Sequence, residues 1–163
     1  MPRDVRRPTT DDLDAAWRVV SAQLRPTPLL PPEDGSPALK LETGQPTGSF
    51  KVRGALAALA AVGRGTPVVT ASAGNHALGV AYAASRLGLR ATVVTASTAS
   101  PAKVAAIRRR GVELVQVGTT YDDAEAHALD LAARGAHYVS AYNDPAVIAG
   151  QGDDRARAGG PAR

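Results

Sequence analysis

Apolar residues recur at two different periods along this chain, and the change of period marks the change of element. From Thr9 to Leu24, TTDDLDAAWRVVSAQL puts Leu13, Trp17, Val20 and Leu24 on one helical face and acids in the first turn, which predicts a helix. RPTPLLPPEDGSP (25–37) carries too many prolines to be helical and reads as a connector. ALKLE (38–42) alternates and predicts a short strand, and TGQPTGS (43–49) a turn. FKVRGALAALAAVG (50–63) returns to the helical period, with Ser49 as the expected N-cap and Gly63 as the expected stop.

Beyond residue 64 strands and helices alternate regularly. PVVTA (67–71) is a short apolar run that reads as a buried strand, and RATVVT (90–95), VELVQV (112–117) and HYVSA (137–141) read as further strands. Between them lie helical segments 74–88, 100–111 and 120–135, each closed by a glycine, the second opened by Pro101. DPAVIAGQG (144–152) opens a further helix. This succession predicts βαβ units and a doubly wound parallel sheet over residues 67–141, an α/β fold. The helices repeat in period but not in sequence, so no internal duplication is expected.

Composition narrows the function. The 163 residues suffice for about one ordinary domain, with a core of Ala, Val and Leu, since the chain has one Trp, one Phe and four Tyr. Cysteine is absent, which excludes disulfides and thiolate metal sites, and no metal site is expected. The charged N-terminus lacks an apolar leader and no apolar run is long enough for a bilayer, so a soluble, cytoplasmic protein without membrane contact is expected. The net charge of +4 does not point to nucleic acid, because the arginines are scattered and no aromatic residues interleave with them. The run Arg108–Arg110 is expected as a solvated helix end. His127 and His137 are expected at the surface or in helix packing, and Tyr121 and Tyr142 at element ends.

Two stretches carry chemistry. In TGSFKVRGA (47–55), Lys51 opens a helix beside Phe50, at the positive end of the helix dipole. A lysine desolvated there loses its proton more readily, and a neutral amine is what Schiff-base chemistry needs. A lysine pointing into water from a first turn fits the same pattern. In ASAGNHALG (71–79), a strand runs through a loop into a helix, so backbone N–H groups from Ser72 to His76 form an anion site. The loop has neither the dinucleotide glycine pattern nor the P-loop pattern. A simple turn at Gly74 with Asn75 as helix cap fits it too.

Together, LKLETGQPTGSFKVRGA (39–55) and SAGNHALGVAYAA (72–84) resemble the fold-type II pyridoxal-phosphate enzymes, in the threonine/serine dehydratase branch. RPTPL (25–29), SPAKVAAIRRRGVELV (100–115) and NDPAVIAGQG (143–152) extend the resemblance over residues 10–152. It implies the tryptophan-synthase-beta-like fold, with residues 10–63 from the large domain, 64–145 as the small domain and 146–152 returning to the large one. It also implies pyridoxal 5'-phosphate as cofactor, held covalently by Lys51, with Phe50 beside its ring and Asn75 bonded to its ring oxygen. Ser72, Ala73, Gly74, Asn75 and His76 would receive the substrate carboxylate. Lys51 would take the α-proton of a small hydroxy-amino acid, L-threonine or L-serine. The β-hydroxyl would leave, and a 2-oxo acid and ammonia would be released. A homo-oligomer is implied for the intact family member.

Sister branches differ at marked positions. Cysteine synthases resemble the pattern with a threonine where His76 stands, and threonine synthases with an aspartate where Val52 stands. Serine racemases carry a serine where Ala73 stands, as a second acid–base, so dehydration is expected over racemisation. Family members continue past the VIAGQG segment with a helix and the rest of the large domain, including the loop that cradles the cofactor phosphate. In this chain DDRARAGGPAR (153–163) follows, and it is expected as a disordered, non-family tail, the product of a shifted reading frame. The small domain would then be nearly complete and the large domain incomplete, the truncated chain inactive, and the apolar face of ALAALAAV (55–62) bare.

Overall fold

The computed structural model describes residues 5–33 and 35–158. Helix α1 spans Thr10–Gln23 and opens on a capping box, in which the Thr9 hydroxyl accepts from the Asp12 amide and the Asp12 carboxylate accepts from the Thr9 amide. Of its predicted apolar face, Val20 is fully buried, with Leu24 just past the helix end, while Leu13 and Trp17 are half-buried.

The proline-rich connector holds one element that its composition hides. Leu29–Leu30 (β1) pairs antiparallel with Leu39–Lys40 (β2) as a minimal hairpin. The predicted strand 38–42 is therefore shorter than its alternation suggests, and Glu42–Gly44 form a single 3-10 turn instead. Helix α2 is Lys51–Ala60. Ser49 is not its N-cap, a position Phe50 holds, though the Ser49 hydroxyl accepts from the Lys51 amide at 3.3 Å. The helix ends before Gly63.

The regular half follows the pattern closely. Strands β3 (Val68–Ala71), β4 (Ala91–Thr95), β5 (Glu113–Gln116) and β6 (His137–Tyr138) form one parallel sheet in the order β5-β4-β3-β6. They alternate with helices α3 (Asn75–Leu87), α4 (Pro101–Arg108) and α5 (Tyr121–Ala133). Val93 packs with Ala77 of α3 and Ile107 of α4, while its neighbour Val94 packs with Ala124 and Ala128 of α5. Successive strand residues face opposite ways, so helices cover both faces and the sheet is doubly wound. Gly88 ends α3 in the left-handed conformation at φ 68°, as expected of a C-terminal glycine.

Helix α6 runs from Pro145 to Ala158, and the Asp144 carboxylate accepts from the amides of Ala146 and Val147 at its start. The helix therefore extends six residues into the stretch 153–163 expected as a disordered tail. Ala, Arg and Asp all tolerate a helix once a packed turn has nucleated it. Residues 159–163 lie outside the described ones. Nor is the alanine-rich face of α2 bare. Ala55, Leu56, Ala58 and Leu59 are buried in one cluster with Val20 of α1, Val80 of α3 and Val147 of α6.

The surface readings hold where the structure describes them. Arg108 lies in the last turn of α4, His137 is exposed and His127 half-buried. The Tyr121 and Tyr142 rings meet edge to face with centroids 6.4 Å apart. Among the described residues no helix is long and apolar enough to cross a membrane.

Candidate active site

Two helix starts meet at one end of the sheet. Lys51 begins α2, and its backbone crosses α3 at Gly79. A methyl group placed on Gly79 would lie 3.1 Å from both the carbonyl carbon and the oxygen of Lys51. Gly79 is one helical turn past Asn75, so the crossing brings the lysine segment beside the loop 72–74 and the tip of α3. That tip follows β3 directly. Across from it, β6 leads into the segment that starts α6. Strand order reverses at β3, with β4 on one side and β6 on the other, and the crevice outside the carboxyl ends of such strands is where open α/β sheets bind ligands.

Lys51 is half-buried, and its Nζ lies 5.2 Å from the centre of the Phe50 ring. Burial lowers its pKa from the ordinary lysine value. The ring attracts the protonated amine and so opposes that shift, but Phe50 is 42% exposed and the attraction is modest in water. The net direction is toward a neutral amine.

The loop is arranged by Ser72, not by Asn75. The Ser72 hydroxyl accepts from the amides of Gly74 at 3.1 Å and Ala77 at 3.3 Å, and Gly74 holds the N-cap position. Asn75 is the first helical residue and is exposed, which leaves its carboxamide available rather than spent on the helix. The amides of Asn75 and His76 sit at the extreme tip of α3, where no intrahelical acceptor exists. Ala73 contributes backbone alone, its side chain being a methyl.

The His76 side chain turns away from this surface. It is 4% exposed, and its Nε2 stands 3.4 Å from the Val139 carbonyl, which also accepts from the Thr70 hydroxyl. Its Nδ1 is buried without a hydrogen-bond partner. Burial drives the imidazole pKa down to about 4; the Val139 carbonyl and Asp144 oppose the shift, while nearby Lys51 adds to it. The ring is therefore neutral at physiological pH, its Nε2–H pointing at Val139. A group whose folded pKa is depressed contributes stability above its unfolded pKa and loses it as pH falls toward the folded one. For His76 the window runs from the ordinary value of 6.5 down to about 4. Urea unfolding at pH 8 and pH 5 should show wild type losing about 2 kcal/mol more than His76→Gln between the two. Equal losses would place the imidazole in water.

Two residues at this site carry no mark in the local pattern. Glu42 and Arg53 are both buried, and their side chains approach each other beneath the lysine turn. The sequence signal available was two opposite charges flanking a glycine-rich turn. Gly79 was likewise visible only as an isolated glycine inside an apolar helix.

The model of the family described as "Pyridoxal-phosphate dependent enzyme" matches residues 20–153. The chain is 49% identical over 123 residues to the biosynthetic L-threonine dehydratase IlvA of Burkholderia multivorans, a match covering 70% of this chain and 24% of that protein. Its structure is similar to that of a threonine deaminase from T.th., with TM-score 0.81 and 38% identity, covering 93% of this chain and 53% of the other. Maize serine racemase is similar too, with TM-score 0.83 and 25% identity over 90% of this chain and 48% of that one. The chain thus spans about a quarter of the length of that curated relative and about half of those solved chains. With the motif residues in place, the doubly wound sheet described above and the family match over most of the chain, this protein belongs to the pyridoxal-phosphate dependent enzymes.

Proposed function

We propose that the chain carries the lysine-bearing half of an ammonia-lyase that converts L-threonine or L-serine to a 2-oxo acid and ammonia. The observation that carries this reading is a half-buried lysine of lowered basicity, set beside unpaired amides at the tip of α3. These residues fit pyridoxal 5'-phosphate and an amino-acid substrate. When bound, the cofactor draws electron density away from the α-carbon of an attached amino acid.

Lys51 would hold the cofactor, and its Nζ would accept the substrate's α-proton. The Ser72–His76 segment, tied down by the Ser72 hydroxyl, presents the Asn75 and His76 amides to the substrate carboxylate at the positive end of α3. The Asn75 carboxamide, free of capping duty, would be available to the cofactor ring oxygen, and Phe50 would lie beside that ring. Neutral His76 keeps a second cation away from Lys51. We divide the chain into large-domain residues 10–63 and 146–152 and small-domain residues 64–145. In support, α1, α2 and α6 pack together in one core cluster, which α3, β3 and β4 also join, while α4 and α5 pack against the sheet and α3. The cytoplasm and a homo-oligomer are assigned by resemblance.

Because the chain spans a fraction of its relatives' length, we propose that turnover requires the remaining half. The chain alone then acts as a carboxylate-binding fragment able to complement it. Racemisation is the second reading, favoured by the likeness to maize serine racemase and opposed by the methyl group at Ala73. Pyridoxal phosphate with L-threonine or L-serine should give 2-oxo acid only when the C-terminal half of a threonine dehydratase is added. Inverted amino acid in place of 2-oxo acid would select the racemase reading. No product from either mixture would remove both.

A further inference from the structure

The turn that presents Lys51 is closed from below by a buried polar cluster. Glu42 stands at one end of the turn and Arg53 at the other, with Glu42 Oε1 3.9 Å from Arg53 Nη1. Arg53 is 4% exposed and Glu42 9%. Glu42 also accepts from the Thr27 hydroxyl, from the Lys40 ammonium at 3.2 Å, and from the Gln45 amide at 3.1 and 3.3 Å. Lys40 in turn donates to the Thr27 carbonyl at 2.8 Å. Burial alone would raise the Glu42 pKa. Thr27, Arg53, Lys40 and Gln45 together bring it below the usual carboxylate value, so the charge is kept.

A buried carboxylate gathering two cations, a hydroxyl and an amide fixes the separation of the chain segments that carry them. Those segments are the connector at Thr27, the strand end at Lys40, the 3-10 turn at Gln45 and the first turn of α2 at Arg53. Within α2, residues 51 and 53 point about 200° apart around the helix axis. Holding Arg53 inward on Glu42 therefore turns Lys51 outward, toward the tip of α3.

We propose that Glu42 and Arg53 form a clasp whose task is to aim the Lys51 amine, which makes both positioning residues for the chemistry assigned above. The proposal rests on the reading of Lys51 as the cofactor lysine, but its test needs no cofactor. Lys51 shares the chain with just two other lysines, Lys40 and Lys103, and Lys103 is exposed. Trace acetylation across pH, read by peptide mass with Lys103 as internal reference, gives the titration midpoint of Lys51 directly.

In Glu42→Gln and Arg53→Met the amine should swing toward water and its midpoint rise by roughly half a pH unit or more. Arg53→Lys, which keeps the charge, should restore part of the wild-type value. Gln45→Ala removes one donor without unpairing a charge, and it should shift the midpoint in the same direction if Glu42→Gln does not fold. Ile107→Val, remote in the α4 core, is the control for general loosening. A midpoint unchanged in Glu42→Gln, or moved equally in Ile107→Val, would overturn the clasp. Failure of pyridoxal phosphate to attach to Lys51 while these midpoints move as stated would remove the cofactor reading and leave the clasp standing.

Discussion

Pyridoxal phosphate added to the full chain and fixed by borohydride reduction will be found on Lys51, and Lys51→Ala will remove it. The three lysines differ in kind. Lys103 lies exposed on α4. Lys40 is bound to Glu42 and to two oxygens of Thr27, so its amine is committed to those partners. Lys51 combines a pKa lowered by burial with a neighbouring aromatic face. Adduct formation needs the neutral amine, so more label is expected on Lys51 than on Lys103 at pH 8. Absorbance should saturate at about one equivalent in wild type and fall to the level of surface lysines in the variant. Equal, weak labelling of Lys51 and Lys103, unchanged in shape by the alanine substitution, would mean that the residues around Lys51 do not form a cofactor site.

Gly150→Val will cost at least about 3 kcal/mol of stability. A Cβ at this position would lie 2.7 Å from the Ala57 Cβ, 2.8 Å from the Arg53 carbonyl oxygen and 2.9 Å from the Gly54 Cα. Two of those three atoms are backbone and cannot rotate aside. Gly54 faces the same crossing from the other helix, with a Cβ 2.7 Å from the Val147 carbonyl oxygen. The two helices approach so closely because neither carries a side chain at the crossing, and dispersion contacts along the shared surface replace it. Thermal unfolding should show the loss plainly, with Gly63→Ala as the control: there the nearest atom, the Thr66 hydroxyl oxygen, is 3.7 Å away. A Gly150→Val melting midpoint within about two degrees of wild type would mean that α6 does not pack against α2 in solution.

What the sequence recorded and what it did not follow from the range of the interactions. The strands at 68–71, 91–95 and 113–116 were legible because short apolar runs set between glycine-closed helical periods are local signals. So was the loop after β3, since a strand followed by SAGNH and a helical period fixes a strand–loop–helix junction. Local patterns cannot say which side chain caps a helix when several can, and Ser72 took the role open to Asn75. They are also silent on pairings that depend on how a turn closes. Glu42 and Arg53 look like two solvated charges until the turn between them folds over their contact. The hairpin of Leu29–Leu30 with Leu39–Lys40 was hidden because so short a strand has no period. The run 153–158 shows the converse, since a helix already packed through Val147 and Gly150 extends over residues with little apolar content of their own.

Helix α2 meets α3 at Gly79 and α6 at Gly150 through close approaches of backbone to backbone. In mechanical terms those two contacts are stiff joints. Side chains act as springs in most helix packing, taking up an ångström of displacement by a change of rotamer. That compliance is reduced where backbone meets backbone, so a shift of α6 along or across α2 is passed on toward the peptide of Lys51. The amine at the end of that rigid train is accordingly sensitive to strain applied a full helix away.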